Sequence, residues 1–173
     1  FREGGKVVAT LHGHDSRVNC VHWPSEEVIG CLPDRESPFL FSGDADGAVI
    51  VWAQHSAAHP HLAATATLKE HNGAITGLES YASADGIRVV SCAGDHTLKV
   101  WVCEGSGESN RQTLSRWDVT QSICFGNRLP YCVSVTSLPG HDEAGWRMLA
   151  VGVDKRVELL LSAPTGEFKE IFT

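Results

Sequence analysis

The sequence predicts an all-β protein assembled from repeated four-stranded units. A strand, tight turn and second strand are packed into Ser42–Trp52, the frame returns at Ser91–Trp101, and a worn copy occupies Ala150–Leu160. In the first copy Gly43 and Gly47 allow tight backbone angles, Asp44 and Asp46 can bond their own backbone, and Val49-Ile50-Val51 suits a strand buried on both faces. Ser, Asp and Trp recur in register in the second copy; the third has Ala150 at the place of Ser and Leu160 at the place of Trp. A repeat of this kind outranks any local motif in fixing a fold.

Upstream of each good copy lies a histidine and then an apolar strand: His14 before Val18–Trp23, and His71 before Ile75–Tyr81. The first unit is completed by Phe39–Ser42 and by His61–Leu68, with Gln54–Pro60 as a loop. Its residues Pro24–Pro38 hold three prolines and several charges, and are expected as a surface insertion. The outer strand of the second unit is either Gln112–Trp117 or Gln121–Phe125. Tyr131–Ser137, Arg147–Val151, Val157–Leu161 and Phe168–Phe172 make the third unit. Before them all, Phe1–Lys6 is expected to fray and Val7–Leu11 to form a short strand.

With 173 residues, 42% hydrophobic and 20% charged, the chain has material for one folded domain. Its formal charge of −7 argues against a surface built wholly as a nucleic-acid clamp. Six cysteines, none spaced C-x-x-C, read as reduced and mostly buried thiols, hence a cytoplasmic location, with the nucleus also compatible. No charged-then-apolar leader and no bilayer-length apolar run is visible. The chain opens on Phe1, and the expectation is a piece of a longer protein.

Several tempting sites lose to plainer readings. His12 and His14, or His55, His59 and His61, lack the convergent fourth ligand a zinc site needs. Asp44-Ala45-Asp46-Gly47 opens like a calcium loop, but Val, Ile and Trp fill the later ligand positions. Gly105-Ser106-Gly107 lacks the strand-elbow-helix context of a nucleophile, and Gly140-His141 imitates the repeat within a loop. Asp85, Glu104 and Glu108 show no pairing suited to acid–base catalysis. Trp117 is expected to pack between units, and Trp146 is left open between packing and partner binding. No cofactor and no metal is expected, and the protein is not read as an enzyme.

The two good copies, Gly13-His14 through Trp52 and His71 through Trp101, resemble the WD40 repeat family. That resemblance implies a partial WD40 β-propeller: one unit over 1–173, an open arc of about three four-stranded antiparallel blades at about 12–68, 69–125 and 126–173, with 7–11 belonging to a preceding blade. It also implies two buried hydrogen-bonded sets, His14, Ser42, Asp46, Trp52 and His71, Ser91, Asp95, Trp101. Asp46 is thus expected as a buried hub and Asp44 as an exposed turn residue. More narrowly, Thr10–Trp23, the Trp-less Met148–Val157 and Thr165–Phe168 resemble the N-terminal part of the Elongator subunit 2 family. This narrower resemblance implies a non-catalytic scaffold supporting tRNA wobble-uridine modification. It would hold the Elongator catalytic and large scaffold subunits and touch tRNA at most indirectly, with no membrane or small-molecule substrate. The runner-up is a substrate-recognition adaptor, as in a ubiquitin ligase. Asp15, Arg17, Asp44, Ala45 and Gly94 are the candidate partner-facing loop residues.

Overall fold

A computed structural model of the chain describes residues 7–32, 38–56, 59–84, 86–104, 114–138, 145–163 and 167–170. Within these residues the β-branched runs pair into three four-stranded antiparallel sheets, each meandering from an inner to an outer strand. The first sheet comprises β1 Val18–His22, β2 Phe39–Asp44, β3 Val49–Ser56 and β4 His59–Leu68. β5 Ile75–Ser83, β6 Gly86–Ala93, β7 Thr97–Glu104 and β8 Asp118–Cys124 form the second. The third is β9 Pro130–Ser137, β10 Arg147–Val153, β11 Arg156–Ser162 and β12 Phe168–Glu170.

Strand alternation sends successive side chains to opposite faces, and so builds two cores. Phe39, Phe41, Val49 and Val51 of the first sheet meet Ile75, Ile87, Val89 and Trp101 of the second. On the other face of that second sheet, Val90, Cys92, Leu98 and Val100 meet Leu149, Val151, Val153 and Leu160 of the third. Every residue of β6 is buried, because this strand is walled on both sides. The inner strands are also stitched together. Each begins with a bulge, at 18/20, 75/77 and 130/132. Asn19 Nδ2 donates to the Ile75 carbonyl at 3.2 Å, and Thr76 Oγ1 donates to the Pro130 carbonyl at 2.6 Å. At the rim, the Gln121 amide on β8 donates to Phe168 O at 2.7 Å and accepts from Phe168 N at 2.8 Å.

Val7–Leu11, expected as a strand of a preceding blade, joins none of the three sheets, and Val7 and Val8 are 79% and 93% exposed. Some expectations are corrected here. The insertion after β1 is not wholly superficial. It carries a short helix, α1 Glu26–Ile29, whose Val28 is fully buried, and Leu32 follows it into the first core. Arg147, on the third sheet, reaches back to it with Nη2 at 2.8 Å from Glu27 Oε1 and 3.1 Å from the Ala82 carbonyl. The expected loop at Gln54–Pro60 is largely strand, since β3 and β4 extend through it to Ser56 and from His59. The outer strand of the second sheet overlaps the second of the two expected segments. Gly105-Ser106-Gly107, Glu108, Asp85 and Gly140-His141 lie outside the described residues, as do the side chains of His55, His59 and Glu104.

Candidate functional site

The loop leading into each inner strand and the turn between the second and third strands share one end of a sheet. In the first sheet Ala45 N donates to the Arg17 carbonyl at 2.9 Å; in the second, Gly94 N donates to the Ala74 carbonyl at 2.8 Å. Below these bonds sits a buried polar chain. In the second sheet Trp101 Nε1–H donates to Ser91 Oγ at 2.8 Å, Ser91 Oγ lies 2.8 Å from His71 Nε2, and His71 Nδ1 lies 2.9 Å from Asp95 Oδ2. An ionised carboxylate only accepts, so the proton of the neutral ring is on Nδ1 and the Ser hydroxyl donates to Nε2. Thr97, through both N–H and hydroxyl, and Asn72 N–H donate to the same carboxylate.

The first sheet has the same chain with one member exchanged. Trp52 Nε1–H donates to Ser42 Oγ at 2.7 Å, Ser42 Oγ is 2.6 Å from His14 Nε2, and His14 Nδ1 is 2.7 Å from Asp44 Oδ2. Asp44, not Asp46, is therefore the buried hub; it is 2% exposed, while Asp46 is exposed. Both turns have the same shape, with positive φ at their last position: 88° at Gly47 and 66° at His96. Asp44 stands first in its turn, where a carboxylate can cap the N–H two residues on, and its Oδ1 accepts from Asp46 N at 3.0 Å and Ala48 N at 2.9 Å. Ala93 holds that place in the second turn and has no carboxylate, so Asp95 reaches the histidine from two positions later.

Burial pushes the Asp44 carboxyl up, but the bonds from Ala48 N–H, His14 and Asp46 N–H outweigh it and hold the group below the usual value. Asp95 behaves alike: burial raises it, and Thr97, Asn72 N–H and His71 bring it down. Burial lowers His71 against the pull of Asp95, in keeping with a neutral ring. The order Asp, His, Ser copies that of a hydrolytic triad. Here, though, each serine oxygen is taken by a tryptophan N–H, and Ser42 and Ser91 are 4% and 0% exposed. A nucleophile needs an open side facing a substrate, and these have none.

The third sheet lacks the chain. Register through the bulges places Gly126 where His14 and His71 stand, Val151 at the place of Ser42 and Ser91, and Leu160 at that of the tryptophans. Its hairpin is one residue shorter, so Val151 rather than Ala150 is the counterpart of the serines. With apolar side chains at two of the places, the sheet instead feeds the second core.

Of the expected partner-facing residues, Asp15 and Arg17 are exposed, Ala45 and Gly94 are half-buried, and Asp44 leaves the set because it is buried. Sequence reading missed exposed Asp46, for which the turn position of Asp44 was the available signal. It also missed a cavity of about 820 Å³ at the same end of the third sheet, lined by Arg128, Tyr131, Val153, Asp154, Lys155 and Arg156. Trp117 packs edge-on against Phe41, its ring centroid 5.6 Å away, and Trp146 is half-buried. Among the described residues no cluster of three or more histidine, cysteine or acidic side chains could hold a metal ion, and no helix is long and apolar enough to cross a membrane.

The family model for the WD domain, G-beta repeat, matches residues 5–53 and 63–102. Elongator complex protein 2 of Dictyostelium discoideum is 30% identical over 142 residues, covering 78% of this chain and 16% of that protein. Its Arabidopsis thaliana namesake is 24% identical over 168 residues, covering 96% of this chain and 20% of that one. Mitogen-activated protein kinase-binding protein 1 of Mus musculus is 24% identical over 163 residues, 94% of this chain and 9% of the relative. The chain thus spans a fifth or less of the length of these relatives. Among solved structures, the β-propeller domain of Cps50 (Swd1) from Myceliophteria thermophila is similar, with a TM-score of 0.59 at 15% identity over 96% of this chain and 42% of that one.

Proposed function

Because the chain belongs to the WD40 repeat family, we propose that it is a non-catalytic protein-interaction scaffold, part of the WD40 subunit of an Elongator complex. The observation that carries the scaffold reading is the pair of buried Trp–Ser–His–Asp chains. They lock the loop-bearing ends of two sheets while leaving Asp15, Arg17 and Asp46 exposed on a rigid frame. The Elongator reading rests on likeness to Elongator complex protein 2 from several organisms, across up to 96% of this chain.

In this reading the protein holds the Elongator catalytic and large scaffold subunits, supports tRNA wobble-uridine modification without doing its chemistry, and works in the cytoplasm or nucleus. Contact with tRNA is at most indirect. Affinity purification of the natural full-length protein tests it: the Elongator catalytic subunit co-purifies, and its absence overturns the reading. The second reading, an adaptor of another complex, draws on the likeness to a protein named for binding a kinase. Recovery of a kinase or ubiquitin-ligase subunit in place of Elongator subunits would favour it.

A further inference from the structure

The two buried chains are in contact through the backbone. Between them runs the leading loop of the second sheet, His71–Ala74, wedged between two turns. On one side is the first-sheet turn: a Cβ added at Gly47 would come within 2.6 Å of the His71 carbonyl and 2.9 Å of the Gly73 carbonyl. On the other is the second-sheet turn: a Cβ added at Gly73 would come within 2.5 Å of Asp95 N and 2.6 Å of Gly94 C. Backbone thus meets backbone on both sides, with no side chain between to absorb a shift. Gly43, beside Asp44, is pressed in the same way against the Ile75 side chain at the start of β5.

Each hub governs one of these contacts. Asp44 shapes the first turn by accepting from Asp46 N–H and Ala48 N–H, and that turn carries Gly47. His71 gives the second chain its ring and presents its carbonyl to Gly47. Asp95 holds the same loop from the far side, through His71 Nδ1–H and Asn72 N–H, each at 2.9 Å. Gly94 N–H closes the contact on the Ala74 carbonyl at 2.8 Å. A turn released from Asp44 therefore moves only by displacing the residue that carries the second imidazole. The series goes one step further and stops. His96 Nδ1–H donates to the Arg128 carbonyl at 3.1 Å and the His96 carbonyl accepts from Phe125 N at 2.9 Å, but Gly126 stands where a histidine would anchor that loop.

We propose that the two chains form one mechanical relay: the loop-bearing ends of the first and second sheets open and close together, so that what loosens or grips one is felt at the other. The coupling is reciprocal, because it is a single free energy shared by two openings. On the scaffold reading above, a partner that grips Asp15, Arg17 or Asp46 also stiffens exposed Asn72 on the next sheet. The relay itself stands or falls without that partner.

Amide hydrogen exchange of the protein alone, read by mass spectrometry over 44–48 and 71–74, tests it. Asp44→Ala speeds exchange at 71–74 about fivefold or more, and Asp95→Ala speeds it at 44–48 by a like factor. Asp46→Ala, at an exposed turn position, leaves 71–74 unchanged. Leu149→Ala separates the relay from a general loss of stability, since Leu149 is fully buried on the third sheet, in the second core. Acceleration in both directions, beyond that of Leu149→Ala, supports the proposal. Acceleration confined to the mutated sheet, acceleration in one direction only, or an equal effect from Leu149→Ala overturns it. Asp44→Asn and Asp95→Asn, which keep the side-chain shape, give the same reading where an alanine variant does not fold.

Discussion

Replacing Asp44 by alanine should destabilise the protein far more than replacing Asp46. The Asp44 carboxylate accepts from His14 Nδ1–H, Asp46 N–H and Ala48 N–H. Its removal leaves three donors. The Asp46 N–H can turn to water because that residue is exposed, but the His14 side chain is 6% exposed and the bond to Ala48 is buried. Two stranded donors at about 1–3 kcal/mol each give a loss of roughly 3 kcal/mol. Freed of its anchor, His14 also loosens its hold on Ser42 and through it on Trp52, so Trp52 fluorescence reports the same event. Asp46→Ala removes an exposed side chain, and should stay within about 0.5 kcal/mol. Urea unfolding followed by tryptophan fluorescence measures both. Equal losses, or a larger one for Asp46→Ala, would refute the assignment of Asp44 as the hub.

Acid should weaken the fold in stages. His71 and His22 are held below the ordinary imidazole value of 6.5 by burial, so as pH falls from 6.5 the unfolded chain takes protons that the folded one refuses, and stability drops. Asp44 and Asp95, held below 3.8, contribute stability present above that value and lost as pH falls through their folded values; Glu79, raised by burial, opposes the trend between 4.5 and its own folded value. Urea midpoints measured from pH 7 downward should decline, and a rise on entering the imidazole range would contradict this account. Gly47→Ala should cost more than Gly126→Ala in the same assay. Both have positive φ, 88° and 67°, but the first also meets His71 O at 2.6 Å whereas the second meets nothing within 4 Å, leaving it only the backbone strain of about 1–2 kcal/mol. Arg147→Met should cost about 1–3 kcal/mol and speed proteolytic cutting in 24–32, because the helix α1 loses its tie to the third sheet. Unchanged cutting would show that Val28 and Leu32 hold that segment unaided.

Strand positions were legible because burial between sheets enforces β-branched runs and tight turns, and these mark the chain directly. The hydrogen-bonded sets were legible only by counting from the tryptophan, which works where turns have equal composition. It misplaced the hub in the first sheet because a carboxylate can reach one histidine from two backbone positions. Turn chemistry, with Asp first and Gly fourth, was the stronger rule there. In the third sheet the count slipped by one because its turn is shorter, and pairing register is invisible to a one-dimensional frame. The insertion misled for another reason. Proline and charge mark where a chain leaves a sheet, yet Val28 and Leu32 were already present to bring it back, and Arg147 lies 120 residues from its partner Glu27. Contacts at that distance leave no periodic trace. The cavity at Arg128 and Lys155 is likewise a product of two segments meeting, 128–131 and 153–156, not of any local pattern.

The middle strand β6, walled on both sides, has a kinetic consequence. Val89 belongs to one core and Val90 to the other, so neither core opens without disturbing the same backbone ladder. Amide hydrogens along β6 should therefore exchange last, through openings that cost nearly the whole unfolding free energy, while β1 and β12 at the margins exchange through local fraying. A chain laid out as three near-repeats would thus melt as one unit, with its slowest protons at the shared wall.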